Sequence, residues 1–359
     1  MAHNHSTTLK NIEYQLYGRQ IILSEIQDEG QIRLKNARIL FIGAGGLASS
    51  GLLYLAASGI GHIGIVDNDQ VELSNLQRQI IYERNNVGMP KVSSAKTRIK
   101  GINCQCKINT YNTKLNNSNA IDIIKQYNIV IDSTDNLNAR YAISSACELL
   151  HKIHIYGAIS SFTGQVSVFN YRGSLSYKDV YPALSSNTNI NCSFNGVLGV
   201  LPGLIGLIQA TEAIKITLGI GKILNGQLLV YNALKMSFHK TKFRQAKNNN
   251  TCQYLPKAID NLDNNRYKFI TVQEIQEINH QKLYLIDIRT STEYKIDHLK
   301  SAINIPLDKL RKYKNLDTLL IRSTNKLVIL YCNSYSRSHA ASNILSTKKI
   351  QHKVLSLNA

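Results

Sequence analysis

A glycine-rich run, Gly43-Ala44-Gly45-Gly46, follows an apolar segment of strand length and precedes an apolar helical pattern. Glycines at such a turn let the backbone approach a phosphate, and the helix that follows supplies free N–H groups and a positive dipole. Asp67 follows at the spacing of about 20 residues that suits a carboxylate on a ribose hydroxyl. These residues predict a nucleotide site, and alone they support NAD and a nucleoside triphosphate equally well.

Two basic side chains follow the acid and separate these alternatives. Arg78 lies in Ser74-Asn75-Leu76-Gln77-Arg78-Gln79, and Lys91 ends Gly88-Met89-Pro90-Lys91. A dinucleotide needs no such cations beyond the ribose acid, whereas the β- and γ-phosphates of a triphosphate must be held by them. Asp135 follows a further predicted strand, and a carboxylate there suits Mg²⁺ held against phosphate oxygens. The sequence therefore favours a triphosphate site with magnesium.

A cysteine, Cys332, stands at the end of a predicted strand near the C-terminus, and Arg337 follows it after a short loop. A loop between a strand and a helix directs backbone N–H groups at one sulfur, and the helix dipole and the arginine add positive charge. This arrangement stabilises a thiolate or persulfide anion, and the alternative is a buried structural cysteine. Cys104, Cys106 and Cys147 fall in strand or helix patterns and are expected in the core.

The nucleotide residues are positioned by an α/β pattern of alternating strands and helices. The strands are apolar on both faces, as in a buried parallel sheet, which predicts a doubly wound, Rossmann-like domain over residues 1–245. The predicted strands are 37–42, 63–66, 129–131, 154–156, 165–169 and 227–231. The predicted helices are 10–35, interrupted near Gly30, then 47–58, 92–100, 139–150 and 204–218.

A polar, low-complexity stretch over residues 246–266 predicts a linker. A smaller α/β pattern follows over residues 267–359 and places Cys332 at a strand end. It contains a predicted helix at 271–279, strands at 283–286 and 327–331, and a helix that begins near Ser338.

Composition bounds the class of protein. The chain has 359 residues, of which 43% are hydrophobic and 18% charged, so it has ample material for packed cores and is not a disordered or fibrous protein. The net charge of +19 is spread along the chain, and we expect no nucleic-acid partner. The longest apolar stretch, Gly196–Leu218, contains Glu212 and Lys215, and we expect it to be buried in protein rather than in a membrane.

Composition also bears on the compartment. Six cysteines without regular spacing indicate a reducing environment. Abundant Asn, Ile and Lys are typical of an AT-rich genome, and the N-terminus lacks the features of a signal or transit peptide. These features favour the plastid stroma, with the gene encoded in the organelle, over the cytoplasm.

The first domain resembles the ubiquitin-activating-type adenylyltransferases, in particular the molybdopterin-synthase and thiamine sulfur-carrier branch. The resemblance covers about residues 10 to 245 and is carried by Tyr17–Ile21, the glycine run, Asp67–Gln79, Gly88–Lys91 and Asp132–Asn136. It implies these nucleotide-binding residues: Arg19, Gly46, Asp67, Ser74, Asn75, Leu76, Gln77, Arg78, Lys91, Asp135 and Asn136. In this scheme Asp135 holds Mg²⁺, and Arg19 reaches the phosphates of a neighbouring subunit, which implies a homodimer.

The resemblance also implies the reaction. The C-terminal glycine carboxylate of a small ubiquitin-like sulfur carrier attacks the α-phosphate of ATP and releases pyrophosphate. Because the attacking group is already an anion, no general base is needed, and catalysis rests on positioning and charge neutralisation. By analogy with arginine fingers, loss of Arg78 is expected to cost on the order of 10³-fold in rate.

Two cysteine features depend on the same resemblance. Relatives hold a structural zinc with two Cys-x-x-Cys pairs, but here Ser176 and Asp179 stand at the first pair and Cys252 alone survives from the second. Because tetrahedral zinc needs four good ligands, we expect no zinc site. Cys192 lies in the loop where relatives carry a cysteine that links covalently to the activated carrier, and the alternative for it is a small buried residue.

The C-terminal domain resembles the rhodanese-type sulfurtransferases from about Phe269 to the C-terminus. Besides the Cys332 loop, the resemblance is carried by Leu285–Arg289, Glu293-Tyr294, His298-Leu299 and Ala302–Leu307. It implies that Cys332 carries a persulfide supplied by a donor such as a cysteine desulfurase, and that Asp287 and Arg289 brace the active loop. Arg337 is then the second catalytic residue of this domain.

The two domains together predict adenylation of a sulfur carrier followed by sulfur transfer, which gives a thiocarboxylate for molybdenum cofactor synthesis. The linker would tether the two sites and raise their effective concentration. Alternatives within the class are the thiamine carrier and a tRNA-thiolation modifier. Alternatives outside it are an NAD-dependent oxidoreductase, which Arg78 and Lys91 oppose, and a scaffold without turnover, which these residues and Asp135 oppose.

Overall fold

The computed structural model describes residues 7–182, 196–243, 268–270, 275, 283–310, 326–332, 335–347 and 350–355. The chain divides into two compact units, Met1–Ala246 and Lys247–Ala359. Each unit is built on its own sheet, as the sequence pattern predicts for an α/β protein.

The first unit contains an eight-stranded sheet in the order β3-β2-β1-β4-β5-β6-β7-β8. Its strands are β1 (Arg38–Ile42), β2 (His62–Val66), β3 (Lys107–Tyr111), β4 (Ile129–Asp132), β5 (Ile153–Ser160), β6 (Thr163–Phe169), β7 (Gln227–Asn232) and β8 (Ser237–Lys242). The five strands from β3 to β5 are parallel, and β6, β7 and β8 each pair antiparallel with their neighbour. The Rossmann-like order of the parallel part confirms the predicted doubly wound fold.

Helices cover both faces of this sheet. They are α1 (Asn11–Ile21), α2 (Gln27–Asn36), α3 (Gly46–Ala57), α4 (Lys91–Ile102), α5 (Ala120–Ile124), α6 (Leu137–Leu149), α7 (Tyr177–Val180) and α8 (Val200–Leu218). Alternate residues of β1 point to opposite faces, so Phe41 packs with α3, α4 and α8 while Leu40 packs with α5 and α6. Burial on both faces explains why these strands read as continuous apolar runs.

The N-terminal helix breaks at a different point from the one predicted. Residues 22–26 separate α1 from α2, and Gly30 lies inside α2 rather than at the break. Gly30 is buried, and a Cβ there would stand 3.1 Å from side-chain atoms of both Ile26 and Leu218. It therefore marks a close helix contact and not a turn. The strands β3 and β8 were not predicted because their sequences are largely polar, and the helix α5 was not predicted because its 5 residues are too few to show a helical pattern.

Helix α8 is the one described helix long and apolar enough to span a membrane by length and composition. It packs instead across α3 inside the unit, where Gly206 lies directly against the Leu47 carbonyl oxygen and the Gly51 Cβ position is 3.3 Å from the Gly206 carbonyl oxygen. Within it, Glu212 is buried and accepts a hydrogen bond from the Leu224 N–H group at 2.9 Å. These contacts are those of a core helix.

The second unit contains a five-stranded parallel sheet in the order β11-β10-β12-β13-β9. Its described elements are β9 (Lys268–Ile270), β10 (Leu283–Asp287), α9 (Ser291–Ile296), β11 (Ile303–Asn304), α10 (Leu307–Leu310), β12 (Leu327–Tyr331), α11 (Tyr335–Thr347) and β13 (His352–Leu355). The helix predicted at 271–279 lies outside the described residues except for residue 275. The central strand β12 ends directly before Cys332.

Candidate active sites of the two units

The glycine run turns from β1 into α3 at the point where the chain connections of the sheet diverge. β1 pairs with β2 on one side and with β4 on the other, so a crevice opens at the carboxyl ends of these strands. Gly43 has φ +92°, and a Cβ there would stand 2.7 Å from the Ser133 carbonyl oxygen. Glycine is therefore required both by the left-handed backbone and by the close approach of the β4 loop.

Asp67, at the end of β2, fixes the peptide after Gly43. Its Oδ2 accepts from the Ala44 N–H group at 2.7 Å, and its Oδ1 accepts from the Asp69 N–H group at 2.8 Å. Tyr82 donates its hydroxyl to the Ala44 carbonyl oxygen at 2.7 Å from the other side. Burial raises the pKa of Asp67. Each oxygen of this carboxylate can accept a further hydrogen bond, such as one from a ribose hydroxyl.

The string Ser74–Gln79 lies against the first turn of α3. A Cβ at Gly46 would stand 3.5 Å from the Arg78 carbonyl oxygen and 2.8 Å from Cβ of Pro202, so only glycine fits between these segments. Asn75 is buried and its Oδ1 accepts from the Glu72 N–H group at 3.2 Å. Arg78 is half-buried, and its Nη1 donates to the Ser74 carbonyl oxygen at 3.1 Å. The arginine is thus held at the crevice by backbone rather than by an acid.

Ser74 and Gln77 are exposed and Leu76 is half-buried, whereas Asn75 and Gln79 are buried. The Gln77 carbonyl oxygen lies 2.7 Å from the Cβ position of Gly199, which precedes α8. Gln79, which was not among the predicted site residues, is buried, and among the residues that the structure describes its Oε1 has no hydrogen-bond partner. Its Nε2 stands 3.8 Å from the Cβ position of Gly45, which places this amide beside the glycine run.

Lys91, the first residue of α4, is buried with its ammonium on Asp69. Its Nζ lies 2.8 Å from Asp69 Oδ2, and the side chains are 8% and 60% exposed respectively. Its N–H group also donates to the Asp69 carbonyl oxygen at 3.0 Å. Because the acid is mostly solvated, a phosphate can replace it on the lysine at small cost.

Asp135 and Asn136 follow β4 on the far side of the glycine run. Asp135 is exposed, and Asn136 caps α6 by accepting from the Ala139 N–H group at 2.8 Å. Asp67, Arg78 and Asp135 lie in loops at the carboxyl edge of the parallel strands, and Lys91 begins the helix that follows there. The structure therefore gathers these predicted residues around one crevice.

Arg19 lies elsewhere. It is exposed on α1, and the neighbouring Gln20 donates its side-chain amide to the Ser58 carbonyl oxygen at 3.0 Å, at the C-terminal end of α3. The glycine run is at the other end of α3, which at 12 residues is about 18 Å long. Arg19 is therefore far from the crevice of its own chain.

The residues expected at the first zinc pair form a helix cap. Ser176 donates its N–H group and its hydroxyl to Asp179 Oδ2 at 2.7 and 2.8 Å, which begins α7. Cys252 and Cys192 lie outside the described residues. Among the residues that the structure does describe, no group of three or more His, Cys, Asp or Glu side chains is placed to bind a metal ion.

Aromatic side chains pack beside this helix cap. Tyr177 is buried, with its ring centroid 4.9 Å from that of Tyr181, 5.4 Å from that of Tyr156 and 5.8 Å from that of Phe169. Phe243 stacks on Phe169 at 5.9 Å. A small apolar core thus occupies this corner of the first unit.

In the second unit Cys332 is buried at the carboxyl end of β12, as the sequence pattern predicts for a strand-end cysteine. Arg337, in the first turn of α11, makes a two-pronged ion pair with Glu293, both N–O distances being 2.8 Å. The hydrogen bonds from Arg337 lower the pKa of Glu293 to about 2. Glu293, and less strongly a Cys332 thiolate, raises the pKa of Arg337, so the arginine senses charge on the sulfur.

Another ion pair, between Arg289 and Asp287, is buried and lies beside the residue before Cys332. Arg289 donates to Asp287 through Nε at 3.1 Å and through Nη2 at 2.7 Å. Its guanidinium carbon lies 4.7 Å from the ring centre of Tyr331, the residue before Cys332. Asn304 donates to the carbonyl oxygens of both Asp287 and Arg289, so β11 is tied to the same turn.

One expectation about the remaining cysteines was wrong. Cys106 and Cys147 are buried, and burial raises the pKa of each thiol. Cys104 is exposed, because it lies in the turn between α4 and β3, where Lys100 donates to its carbonyl oxygen at 2.7 Å.

Sequence comparison identifies both units. Residues 17–254 match the model of the ThiF family, and residues 271–359 match that of the rhodanese-like domain. The chain is 45% identical over 355 residues to a probable molybdopterin-synthase adenylyltransferase of Gracilaria tenuistipitata var. liui, covering 98% of each chain. It is 37% identical over 340 residues to the adenylyltransferase and sulfurtransferase MOCS3 of Culex quinquefasciatus, covering 89% of this chain and 78% of that protein.

Structural comparison agrees on the fold of the first unit. The Escherichia coli MccB structure matches with a TM-score of 0.58 at 19% identity, over 66% of this chain and 71% of that one. The PaaA structure matches with a TM-score of 0.56 at 22% identity, over 67% of this chain and 77% of that one. Identities this low support a shared fold.

Proposed function

The chain belongs to the ThiF family and carries a rhodanese-like domain, and from this membership we propose an ATP-dependent adenylyltransferase fused to a sulfurtransferase. Its substrate is the C-terminal glycine carboxylate of a small ubiquitin-like sulfur carrier, that of molybdopterin synthase. The observation that carries the proposal is the single crevice at the carboxyl edge of the sheet, where the glycine run, Asp67, Arg78, Lys91 and Asp135 converge.

Each of these residues has a place in the adenylation step. The glycine run and the first turn of α3 receive the phosphates, and Asp67 holds the ribose. Arg78 and Lys91 neutralise the triphosphate, since within the described part of the chain the Arg78 side chain is hydrogen-bonded to a backbone carbonyl and the Lys91 side chain is paired with a solvated acid. The carrier carboxylate attacks the α-phosphorus, the bond to the pyrophosphate oxygen breaks, and the acyl-adenylate forms without a general base.

Magnesium fits the residues present. Asp135 offers an exposed carboxylate on a fixed loop, and oxygen ligands are those that Mg²⁺ prefers. Asp135 would hold Mg²⁺ there, and the ion would supply charge neutralisation for the leaving pyrophosphate. The other carboxylate of this loop, Asp132, is fully buried and engaged by protein groups, so Asp135 is the ligand.

Sulfur transfer uses the second unit. The terminal sulfur of a Cys332 persulfide attacks the acyl carbon and AMP leaves, which joins the carrier to Cys332 through a disulfide. A thiol reductant then attacks the Cys332 sulfur, so that the S–S bond breaks and the carrier leaves as thiocarboxylate, and a further thiol reduces the mixed disulfide left on Cys332. For Cys192 we propose the covalent link to the activated carrier that the family resemblance implies. The persulfide itself comes from a donor such as a cysteine desulfurase.

An exposed apolar surface beside the crevice fits the docking of the carrier. Three loops at the carboxyl edge are tied together, because Leu198 N–H donates to the Ser161 carbonyl oxygen and Ala233 N–H donates to the Phe162 carbonyl oxygen. They expose large apolar side chains, with the exposed fractions Phe162 42%, Leu198 40%, Val200 74%, Leu234 72% and Met236 76%. The edge strand β8 next to them is exposed and carries Lys240 and Lys242, which suit an acidic partner.

A homodimer brings Arg19 to a crevice. Ile12, Leu16 and Arg19 follow at helical spacing on one side of α1, and the two apolar residues are 53% and 51% exposed. An apolar stripe of this kind needs a cover, and a second copy would bury it while Arg19 crosses to the partner's phosphates.

We place the protein in the plastid stroma on composition.

The names of the relatives favour the molybdopterin-synthase carrier over the thiamine carrier and a tRNA-thiolation modifier. ATP–pyrophosphate exchange with each purified carrier tests this. Exchange is expected with the molybdopterin-synthase carrier, and Arg78→Ala should lower it on the order of 10³-fold while Arg84→Ala, an exposed arginine nearby, leaves it unchanged. The adenylation assignment is refuted by absence of exchange with every carrier, or by tighter binding of NAD than of ATP.

The sulfur step has its own test. Cys332→Ser should abolish sulfur transfer from thiosulfate to cyanide and leave pyrophosphate exchange intact. Cys104→Ser replaces an exposed cysteine of the first unit and serves as the control for both activities. Persistence of transfer in Cys332→Ser overturns the persulfide assignment.

A further inference from the structure

A buried carboxylate lies under the loop that carries Asp135. Asp132, the last residue of β4, is fully buried, and its Oδ2 lies 3.3 Å from His154 Nε2 and 3.7 Å from Arg140 Nε. Burial opposes ionisation, but the hydrogen bond from His154 and the charge of Arg140 outweigh it and keep the pKa of Asp132 below its ordinary value. The carboxylate is therefore an anion held by two partners from α6 and β5.

Asp132 and Arg140 both bind Thr134, a residue of this loop. Asp132 Oδ1 accepts from the N–H group of Thr134 at 3.0 Å and from its hydroxyl at 2.8 Å. Arg140 Nη2 donates to the Thr134 carbonyl oxygen at 2.9 Å and to the Gly157 carbonyl oxygen at 3.4 Å. Every polar group of Thr134, the residue directly before Asp135, is thereby fixed.

The neighbours of this loop restrict it further. Ser133 lies against Gly43 of the glycine run, where no side chain fits, and Asn136 is committed to the cap of α6. Gln209 of α8 donates to the Asp132 carbonyl oxygen at 2.8 Å. Asp135 is the exposed residue in a loop whose other members are anchored, so its backbone has a defined position relative to the glycine run.

Burial of paired charged groups adds little to stability by itself, because desolvation offsets most of the attraction between the ions. An arginine that bridges two backbone carbonyls and also faces the Tyr156 ring at 5.1 Å does more than neutralise a carboxylate. It fixes the distance between the end of β4, the end of β5 and the start of α6. Groups that orient a metal-binding residue in this way control its affinity.

We propose that Asp132, Arg140 and His154 form a clamp of positioning residues that holds Asp135 over the glycine run and so sets the affinity of the site for Mg²⁺ with ATP. The proposal rests on the adenylation function proposed above. Asp132 and Arg140 hold Thr134 directly, and His154 acts on it through Asp132. Loss of the clamp therefore weakens the response to magnesium more than the maximal rate.

Three variants with small changes in volume test the clamp in the full-length chain. Thr134→Val removes only the hydrogen bond from the Thr134 hydroxyl to Asp132. His154→Leu removes the hydrogen bond from His154 to Asp132 Oδ2, while His154→Gln restores an N–H donor at that position. The magnesium concentration for half-maximal pyrophosphate exchange should rise about 10-fold in Thr134→Val and in His154→Leu and fall back toward wild type in His154→Gln. Maximal exchange at saturating magnesium should change by less than about threefold.

Glu13→Gln is the matched control, because Glu13 is another buried carboxylate, paired with Lys35 at 2.8 Å far from the crevice. It should lower Tm without moving the magnesium response. The clamp is overturned if the variants lower Tm and leave the magnesium response at the wild-type value. Failure of the proposed function is distinct, since it removes exchange from the wild-type chain as well.

Discussion

The ion pair between Glu293 and Arg337 predicts a measurable pH dependence in the second unit. The pKa of Glu293 falls from 4.5 to about 2 because Arg337 binds both of its oxygens at 2.8 Å. That difference corresponds to about 3 kcal/mol of stability if none of it is screened. The Glu293 side chain is 36% exposed, so solvent screening reduces the contribution to about 1–2 kcal/mol.

The sign follows from the direction of the change. A carboxyl group whose pKa is lowered in the folded state adds its stability fully above about pH 4.5, and this is lost as the pH falls toward 2. Glu293→Gln should therefore lower the free energy of unfolding of the second unit by about 1–2 kcal/mol at pH 7. Near pH 2.5 the variant and the wild type should differ by much less, because wild-type Glu293 is then partly protonated.

Peptide-resolved hydrogen exchange of the full chain along a urea series, at pH 7, 4.5 and 2.5, measures this free energy for β12 and α11. Asp308→Asn, in the exposed part of α10, is the control and should differ from wild type by less than about 0.5 kcal/mol. A Glu293→Gln effect that is absent at pH 7, or equal at all three pH values, refutes the reasoning. A double-mutant cycle with Arg337→Met isolates the pair itself.

The remaining predictions concern the first unit. Gly43→Ala should abolish ATP binding by calorimetry, because its Cβ would meet the Ser133 carbonyl oxygen at 2.7 Å, whereas Gly101→Ala, with open space around it, should bind ATP normally. Normal binding by Gly43→Ala would contradict the cradle. Tyr177→Ala should lower the free energy of unfolding by about 3–5 kcal/mol, because the aromatic cluster loses its central ring, while a metal chelator leaves Tm unchanged. A chelator that lowers Tm would show that a bound metal supports this corner.

Much of the nucleotide site could be predicted from the sequence because of one property of parallel sheets. The carboxyl ends of β1, β2 and β4 share an edge, so any residue directly after an apolar run, such as Gly43 or Asp67, must lie near that edge. The type of residue then indicates the chemistry. Cys332 could be predicted by the same reasoning in the second unit.

The sequence does not predict side-chain contacts that depend on which strands and helices lie side by side in the fold. Asp132 reads as the polar end of an apolar strand, and Arg140 and His154 as surface residues of a helix and a strand, until β4 and β5 lie side by side. The break between α1 and α2 was misplaced because Gly30 is a contact glycine, which sequence alone does not distinguish from a turn glycine. Lys91 was predicted in the site, but its exchangeable partner Asp69 was not.

The cationic side chains of the two sites are paired differently, and the difference matches the charge of the group that each site must bind. In the first unit Arg78 is held by a backbone carbonyl and Lys91 by a solvated acid, so positive charge is available to a polyanion such as a triphosphate. In the second unit Arg337 is already matched by Glu293 through two hydrogen bonds, and only part of its charge reaches Cys332. A sulfur that carries a single negative charge needs stabilisation without tight binding of a larger anion, since a cation left unpaired there would retain phosphates and sulfate. Substitution of Glu293 should therefore make the second site more prone to inhibition by such anions.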